Sequence, residues 1–486
     1  MRTLFTTLFC ALALMVLGCT KIVEAPLDAS FTPDKEYTLS TDIDVSGSQA
    51  LNLANRFRGI NKLTKSSSSS DICEEDVDIK EITSNGKTLF YVLNYPDGGF
   101  VLVSATKEYY PVLAYASEGN FDYGSISGGM SIWMGNLEEA IVQSPNQTDS
   151  IKRNFRRIWN YYEGSQNHIP NTATKTTPTA AEIACWERCD ELFMQYGGEG
   201  WNFAPLSNVQ SIFEDAGYSA FYNQLCYSAN YNHSSLNCSV VGWKEGENEK
   251  QVGPLLSTVW HQDSPFDSLC GDYSPGCGPI AMAQVMKYYE YPPSFVYNGE
   301  TITWDSIPNE VKASSNQAKL VMYVGEKLNT HYWSSGSWTT PGDMEDGIEE
   351  IGYNVVRDTD NVATDVMQSI IVGHRPVIML GMGVDHEFLP GDTQYIGRNS
   401  HYWVCDGGRE VGTAGMYAFA EWQPYDCGSF TASYYSIDNP YVLDGGPTTF
   451  YCHMNWGYEY PDNTWYLYDN IDYRYSRQNY LISRNY

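Results

Sequence analysis

Cys277 is the side chain of this sequence best placed to act as a nucleophile. It lies in Ser274-Pro275-Gly276-Cys277-Gly278-Pro279, a turn-rich lead-in. Ile280, Ala281, Ala283, Val285 and Met286 follow at helical spacing, and Pro292 and Pro293 end the run. Cys277 is therefore expected at, or just before, the N-terminus of a buried helix. Unpaired backbone N–H groups and the positive end of the helix dipole stabilise a thiolate there, and the thiolate is the reactive form. On residue type alone a free cysteine is as readily a small core residue. A cysteine nucleophile also needs a base, and the base an orienting partner. There are eight histidines. His401 opens His401-Tyr402-Trp403-Val404-Cys405-Asp406-Gly407, which reads as a strand entering a turn. His261, His374 and His386 read as loop or surface residues, and His453, in His453-Met454-Asn455-Trp456-Gly457, is the main rival.

Several elements must position these groups. Residues 78–123 read as a small sheet, clearest in the hairpin Lys87–Leu93, Tyr95-Pro96-Asp97-Gly98-Gly99, Phe100–Ser104, with a third strand at Pro111–Ala116. Helices are expected at Trp133–Val142, Ile151–Tyr162 and Ala181–Gln195. Ser165–Pro178, rich in Ser, Thr, Asn and Pro, reads as an exposed linker of the kind proteases cut. No repeat of fixed period is present.

The chain begins with an address. Arg2 precedes an apolar run, Leu4–Leu17, too short and too close to the terminus for a good membrane span. The run ends in Val16-Leu17-Gly18-Cys19, which resembles a bacterial lipobox; the plainer reading is a secretory signal cut at a nearby small residue. In the lipobox reading Cys19 carries the lipid and becomes the first mature residue. Residues 19–70 then form a tether, in which Gly47–Arg58 makes one amphipathic helix through Ala50, Leu51, Leu53, Ala54 and Phe57.

Bulk composition narrows the class. The 486 residues suggest two or three domains, and 42% hydrophobic against 18% charged residues favours a folded core over wholesale disorder. A net charge of -30 makes a nucleic-acid partner a poor fit, because phosphate would repel the chain. The twelve cysteines contain no CxxC pairs. Cys185 and Cys189, four apart, have no second pair at metal-ligand spacing, and any disulfide pairing is not readable from sequence.

The text around Cys277 resembles the streptopain family of papain-like cysteine peptidases. The matching residues are Pro254-Leu255-Leu256, Trp260-His261-Gln262, Pro265-Phe266-Asp267, Gly276-Cys277 and Ala281-Met282-Ala283-Gln284-Val285-Met286-Lys287-Tyr288. Two departures stand out: Gly278-Pro279-Ile280 where the family has Val-Ala-Thr, and Asp267 where it has Asn. The string at His401 resembles the family's histidine motif, with Ser400 in place of Gly, and the Pro376–Leu380 strand resembles the one before it. His453–Gly457 resembles the family's His-Val-Asn-Trp-Gly, after which Tyr458-Glu459-Tyr460 replaces Trp-Gly-Gly. By this resemblance His401 is the base, Asn455 orients its imidazole, Trp456 packs over that hydrogen bond, and Gln262 donates to the oxyanion. Gly98–Ala105, Pro111–Ala116 and Gly119-Asn120-Phe121 resemble the family's inhibitory propeptide.

The resemblance implies an α+β fold: a papain-like catalytic domain, with a helical part carrying Cys277 and an antiparallel sheet carrying His401 and Asn455, preceded by a small α+β prodomain. The expected layout is a signal peptide at 1–18, a lipid-anchored tether at 19–70, a prodomain at 71–165, a linker or insertion at 166–250 and the catalytic domain at 251–486. The implied activity is that of a secreted cysteine endopeptidase made as a zymogen and cut between Ser165 and Gln251. It would need no metal or organic cofactor. Partners would be protein or peptide substrates and a membrane through the lipid anchor, with a co-expressed protein inhibitor left open. The place would be the cell envelope, with the catalytic domain open to release outside the cell. Two rival readings keep the fold: an amine-accepting acyltransferase, and an inactive surface-binding protein. The insertions at 170–250 and 409–450 have no role readable from sequence.

Overall fold

The computed structural model describes residues 43–61, 63, 76–126, 128–163, 179–197, 201–312, 315–333, 336–382, 400–423, 430, 432–443, 448–458, 463–468 and 477–484. The expected signal peptide, Cys19, the Ser165–Pro178 linker and His386 lie outside them. Among the described residues no helix is long and apolar enough to cross a membrane.

The N-terminal part comprises α1 (Gly47–Ile60), β1 (Asp78–Ser84), β2 (Lys87–Asn94), β3 (Phe100–Ser104), β4 (Val112–Ala116), α2 (Gly128–Gln143) and α3 (Asp149–Glu163). A capping box starts α1: the Ser46 hydroxyl accepts the Gln49 amide, and the Gln49 side chain accepts the Ser46 amide. The β2–β3 hairpin closes as its turn residues dictate, with the Gly98 amide donating to the Tyr95 carbonyl at 3.0 Å. The helix placed in the tether by its sequence position is part of this core. Phe57 of α1 meets Tyr115 at 4.9 Å and Tyr162 at 5.5 Å between ring centroids.

The middle of the chain supplies α4 (Ala180–Tyr196), β5 (Asn202–Pro205), α5 (Gln210–Asp215), α6 (Ser219–Tyr231) and β6 (Ser239–Val252). The remainder runs through α7 (Cys277–Tyr289), β7 (Ser294–Tyr297), β8 (Glu300–Thr303), α8 (Ser315–Lys327), α9 (Pro341–Ile351), β9 (Tyr353–Asp358), α10 (Ala363–Met367), β10 (Val377–Met382) and β11 (Ser400–Trp422). It ends with β12 (Ala432–Tyr434), β13 (Tyr441–Leu443), β14 (Thr448–Asn455), β15 (Thr464–Tyr468) and β16 (Gln478–Arg484).

Fourteen of the strands join in one sheet, ordered β1-β2-β3-β4-β15-β14-β11-β10-β16-β9 along its main path. The pairings described are antiparallel, so the mixed α+β architecture is the one the sequence implies. The N-terminal sheet continues into the C-terminal one where Trp465 and Tyr466 of β15 pair with Tyr115 and Ala114 of β4.

Strand β11 has two halves. Its first residues lie between β10 and β14. Farther along, to Trp422, it pairs with β6 and then with β12 and β13. The described parts of the two stretches without an assigned role, 170–250 and 409–450, thus fold on each other. They share an apolar cluster that includes Phe213, Leu225, Trp243 and Trp422. The described residues of the span 166–250 therefore form a folded module built on the same sheet.

Alternation along the start of β11 feeds two cores. Tyr402 and Val404 join the cluster formed with α7, α8 and α9. Trp403 and Cys405 join the cluster that contains α1, α2 and the N-terminal sheet.

Candidate active site

Helix α7 begins at Cys277 itself. Its cap, Gly276, has φ +89°, a left-handed conformation open to glycine and strained for other residues. This turn presents the sulfur at the helix N-terminus, half-buried, where the dipole favours a thiolate. The Tyr402 amide of β11 donates to the Cys277 sulfur at 3.4 Å. The His401 side chain, 4% exposed, also hydrogen-bonds it.

The charges of this pair are coupled. Burial opposes a thiolate at Cys277, but the neighbouring His401 and the Tyr402 and Gly278 amides outweigh it and hold the thiol below its ordinary range. Burial likewise opposes an imidazolium at His401, yet Cys277 and the Trp456 carbonyl raise its pKa. The arrangement favours a thiolate–imidazolium pair, the charge state of a cysteine nucleophile with its base.

His401 is oriented differently from the expectation. Its Nε2–H donates to the backbone carbonyl of Trp456 at 2.7 Å, not to Asn455. This fixes the tautomer and leaves Nδ1 for the sulfur. Asn455 is turned into the interior. Its amide N–H donates to the Thr258 carbonyl at 2.8 Å and to Gln284 Oε1 at 3.1 Å, while its oxygen accepts from the Gly457 amide at 3.3 Å. Gln284 Oε1 also accepts the Trp260 amide at 3.1 Å. Asn455 and Gln284 thus tie β14 and α7 to the segment ending at Gln262. The Trp456 ring lies 5.0 Å from Trp403 and 6.4 Å from Trp133 between centroids.

Gln262 stands on the same side of the site. Its Oε1 accepts from the Ser274 hydroxyl at 3.1 Å, which leaves the amide N–H for another partner. His453, the rival base, pairs through Nδ1 with buried Asp406 at 2.7 Å. Asp406 sits at a bulge in β11, its other oxygen accepting the Leu256 amide at 3.1 Å. His261 Nδ1 accepts the Asp263 amide at 3.3 Å.

Sequence reasoning assigned no role to Gln284 or Tyr458. Gln284 had a signal, a polar residue within the apolar run Ala281–Met286. Tyr458 read only as a change of loop shape. It stacks on the His401 ring, with centroids 5.0 Å apart and planes inclined by 13°. Helix α2 closes over the same ring. A Cβ on Gly129 would lie 2.6 Å from His401 Cδ2 and 2.7 Å from the Trp456 ring, so only glycine allows this approach.

Residues 260–466 match the Peptidase C10 family. They are a Peptidase C10 domain, and the chain is a cysteine-type peptidase. Residues 43–141 match the Spi protease inhibitor family, so the C10 domain carries an inhibitor-like propeptide that includes α1 and α2. No curated protein matches the chain. Among solved structures, a fragment of Prevotella intermedia prointerpain A, in mutant form, is 15% identical. The match covers 83% of this chain and 98% of that one, with a TM-score of 0.42. Active wild-type interpain A cysteine protease from the same organism is 18% identical over 47% of this chain and 94% of that one, with a TM-score of 0.30.

Proposed function

We propose that the chain is the precursor of an exported cysteine endopeptidase, with Cys277 as nucleophile, His401 as its acid–base partner and the inhibitor-like domain as a removable block. The observation that carries this reading is the Cys277 sulfur at the start of α7, hydrogen-bonded by His401, whose Nε2–H is fixed on the Trp456 carbonyl.

In the reaction the Cys277 thiolate adds to a peptide carbonyl carbon and the π pair moves to oxygen. The Gln262 amide and the backbone N–H of Cys277 receive that oxyanion, each donor worth about 100–1000-fold in rate. His401 gives its proton to the leaving nitrogen as the C–N bond breaks. It then takes a proton from the water that attacks the thioester, and the thiolate departs.

Helix α2 lies over His401 and Trp456 in this form, which supports latency while the N-terminal domain is attached. The activating cut falls between Glu163 and Ala180. A later cut, inside β6, would sever a strand paired with β11 from Ser239 to Val252. The module 180–252 therefore stays with the processed enzyme. Lipidation of Cys19 anchors the precursor to the envelope, and mass spectrometry of the N-terminal peptide tests it: an unmodified mature terminus other than Cys19 removes the anchor.

The reaction class is tested by digesting casein in the presence of a primary amine. Hydrolysis yields free carboxyl termini. Amine incorporated at the cut ends would instead make the enzyme an acyltransferase.

A further inference from the structure

Tyr458 takes up space that the reaction needs. Its hydroxyl is 3.3 Å from His401 Nδ1, and the Gln262 side chain hydrogen-bonds to that same hydroxyl. Because Gln262 Oε1 is held by Ser274, the group turned toward Tyr458 is the amide N–H, and the phenol oxygen is its acceptor. An oxygen that accepts from the proposed oxyanion donor, against the base and beside the sulfur, sits where a substrate carbonyl oxygen has to go. Burial and the nearby Cys277 push the phenol pKa far up, so the group stays neutral and keeps its proton. When His401 is neutral, that O–H is also placed to donate to Nδ1, the lone pair that would take the thiol proton.

The phenol is backed by the propeptide. Gly128, the first residue of α2, has φ +54°, and a Cβ built on it falls on the Tyr458 hydroxyl and ring. The next residue, Gly129, packs against His401 and Trp456. The two glycines thus bring α2 onto the phenol and the base together.

We infer that Tyr458 is a substrate-mimicking stopper: its phenol oxygen occupies the oxyanion site of the precursor, α2 holds it there, and loss of α2 lets it swing out. The inference rests on the cysteine-peptidase reading above and names how that site is kept closed. Tyr458 acts through Gln262 and His401 and takes no part in bond making, so it is a positioning residue.

The test compares the full-length chain with the self-processed enzyme, in wild type, Tyr458→Phe and Tyr458→Ala. The probe is acetyl-glycinal. The Cys277 sulfur bonds its carbonyl carbon, the π pair moves to oxygen, and the thiol proton ends on that oxygen. The adduct therefore needs the oxyanion site, whereas alkylation by iodoacetamide does not. Aldehyde binding is read as protection of Cys277 from iodoacetamide by peptide mass mapping, with a gel following processing. The wild-type precursor is expected to bind the aldehyde about 100-fold more weakly than the processed enzyme, the worth of one oxyanion donor. In both variants the gap is expected to shrink to below about 10-fold on the same basis. A gap as wide in both variants as in wild type, or no gap in wild type, overturns the stopper. A Cys277 that iodoacetamide leaves untouched in both forms overturns the peptidase reading itself, and the stopper with it.

Discussion

The sheet around His401 is covered on both faces by helices, and the two covers are built differently. On one face α7 is tied in by buried amides: Gln284 holds Asn455 and the Trp260 amide, and Asn455 holds the Thr258 carbonyl. On the other face α2 meets the sheet by shape and apolar packing. Gly129 allows close approach to His401, and Trp133 lies 6.4 Å from Trp403 and 6.1 Å from Tyr468 between ring centroids. Directional polar ties fix one geometry, which suits the helix that bears Cys277. Apolar contact is tolerant of being made and broken, which suits a cover that the proposed activation removes. His401 lies where the two covers meet, and so reports on both.

Replacing His401 by Ala should have the largest effect on this arrangement. General acid–base loss predicts a fall in kcat of about 100–10,000-fold. The sign of the accompanying pH shift follows from the couplings. The Cys277 thiol is held low against burial chiefly by His401, so without the imidazolium only the Tyr402 and Gly278 amides oppose burial and the midpoint for alkylation rises. The alkylation rate of Cys277 against pH, in wild type and His401→Ala, measures it. An unmoved midpoint would break the coupling.

Gly129→Val attacks the removable cover alone. Overpacking against His401 and Trp456 typically costs about 1–3 kcal/mol. The precursor should therefore process itself faster, by about 10-fold or more by the same estimate. The processed enzyme, cut after Glu163, no longer contains the substitution and should match wild type. A time course on a gel decides, and an unchanged processing rate would mean that α2 does not restrain the site.

Asn455→Ala tests the permanent cover, with a smaller effect expected. It leaves Gln284 and the Gly457 amide short of partners inside the protein, at a cost of about 1–3 kcal/mol in stability. Since the Trp456 carbonyl orients His401, the pH profile of activity should keep its shape. A lower midpoint for thermal unfolding with an unshifted profile fits the structure. A shifted profile would return the orienting role to Asn455.

Much of this site was readable in the sequence because its parts are local strings. Cys277 follows a turn and opens an apolar run, so a helix N-terminus was legible, as was the hairpin around Tyr95–Gly99. Other parts left no local trace. The Trp456 carbonyl is backbone, so the group that orients His401 has no residue type to give it away. Asn455 was visible, but the direction of its amide depends on Gln284 and Thr258, far away in the chain. The pairing of Ser239–Val252 with the far half of β11 joins segments well over a hundred residues apart, and the stretches on either side read separately as insertions. The helix Gly47–Arg58 was visible as amphipathic, yet its partners Tyr115 and Tyr162 were not, so it read as tether.

The central claim, that Cys277 does the chemistry, is tested most directly by casein hydrolysis and self-processing of wild type and Cys277→Ala under reducing conditions. The account predicts that wild type shortens on a gel and digests casein, whereas Cys277→Ala stays full-length and inert. A Cys277→Ala chain that still processes itself and digests casein would contradict it.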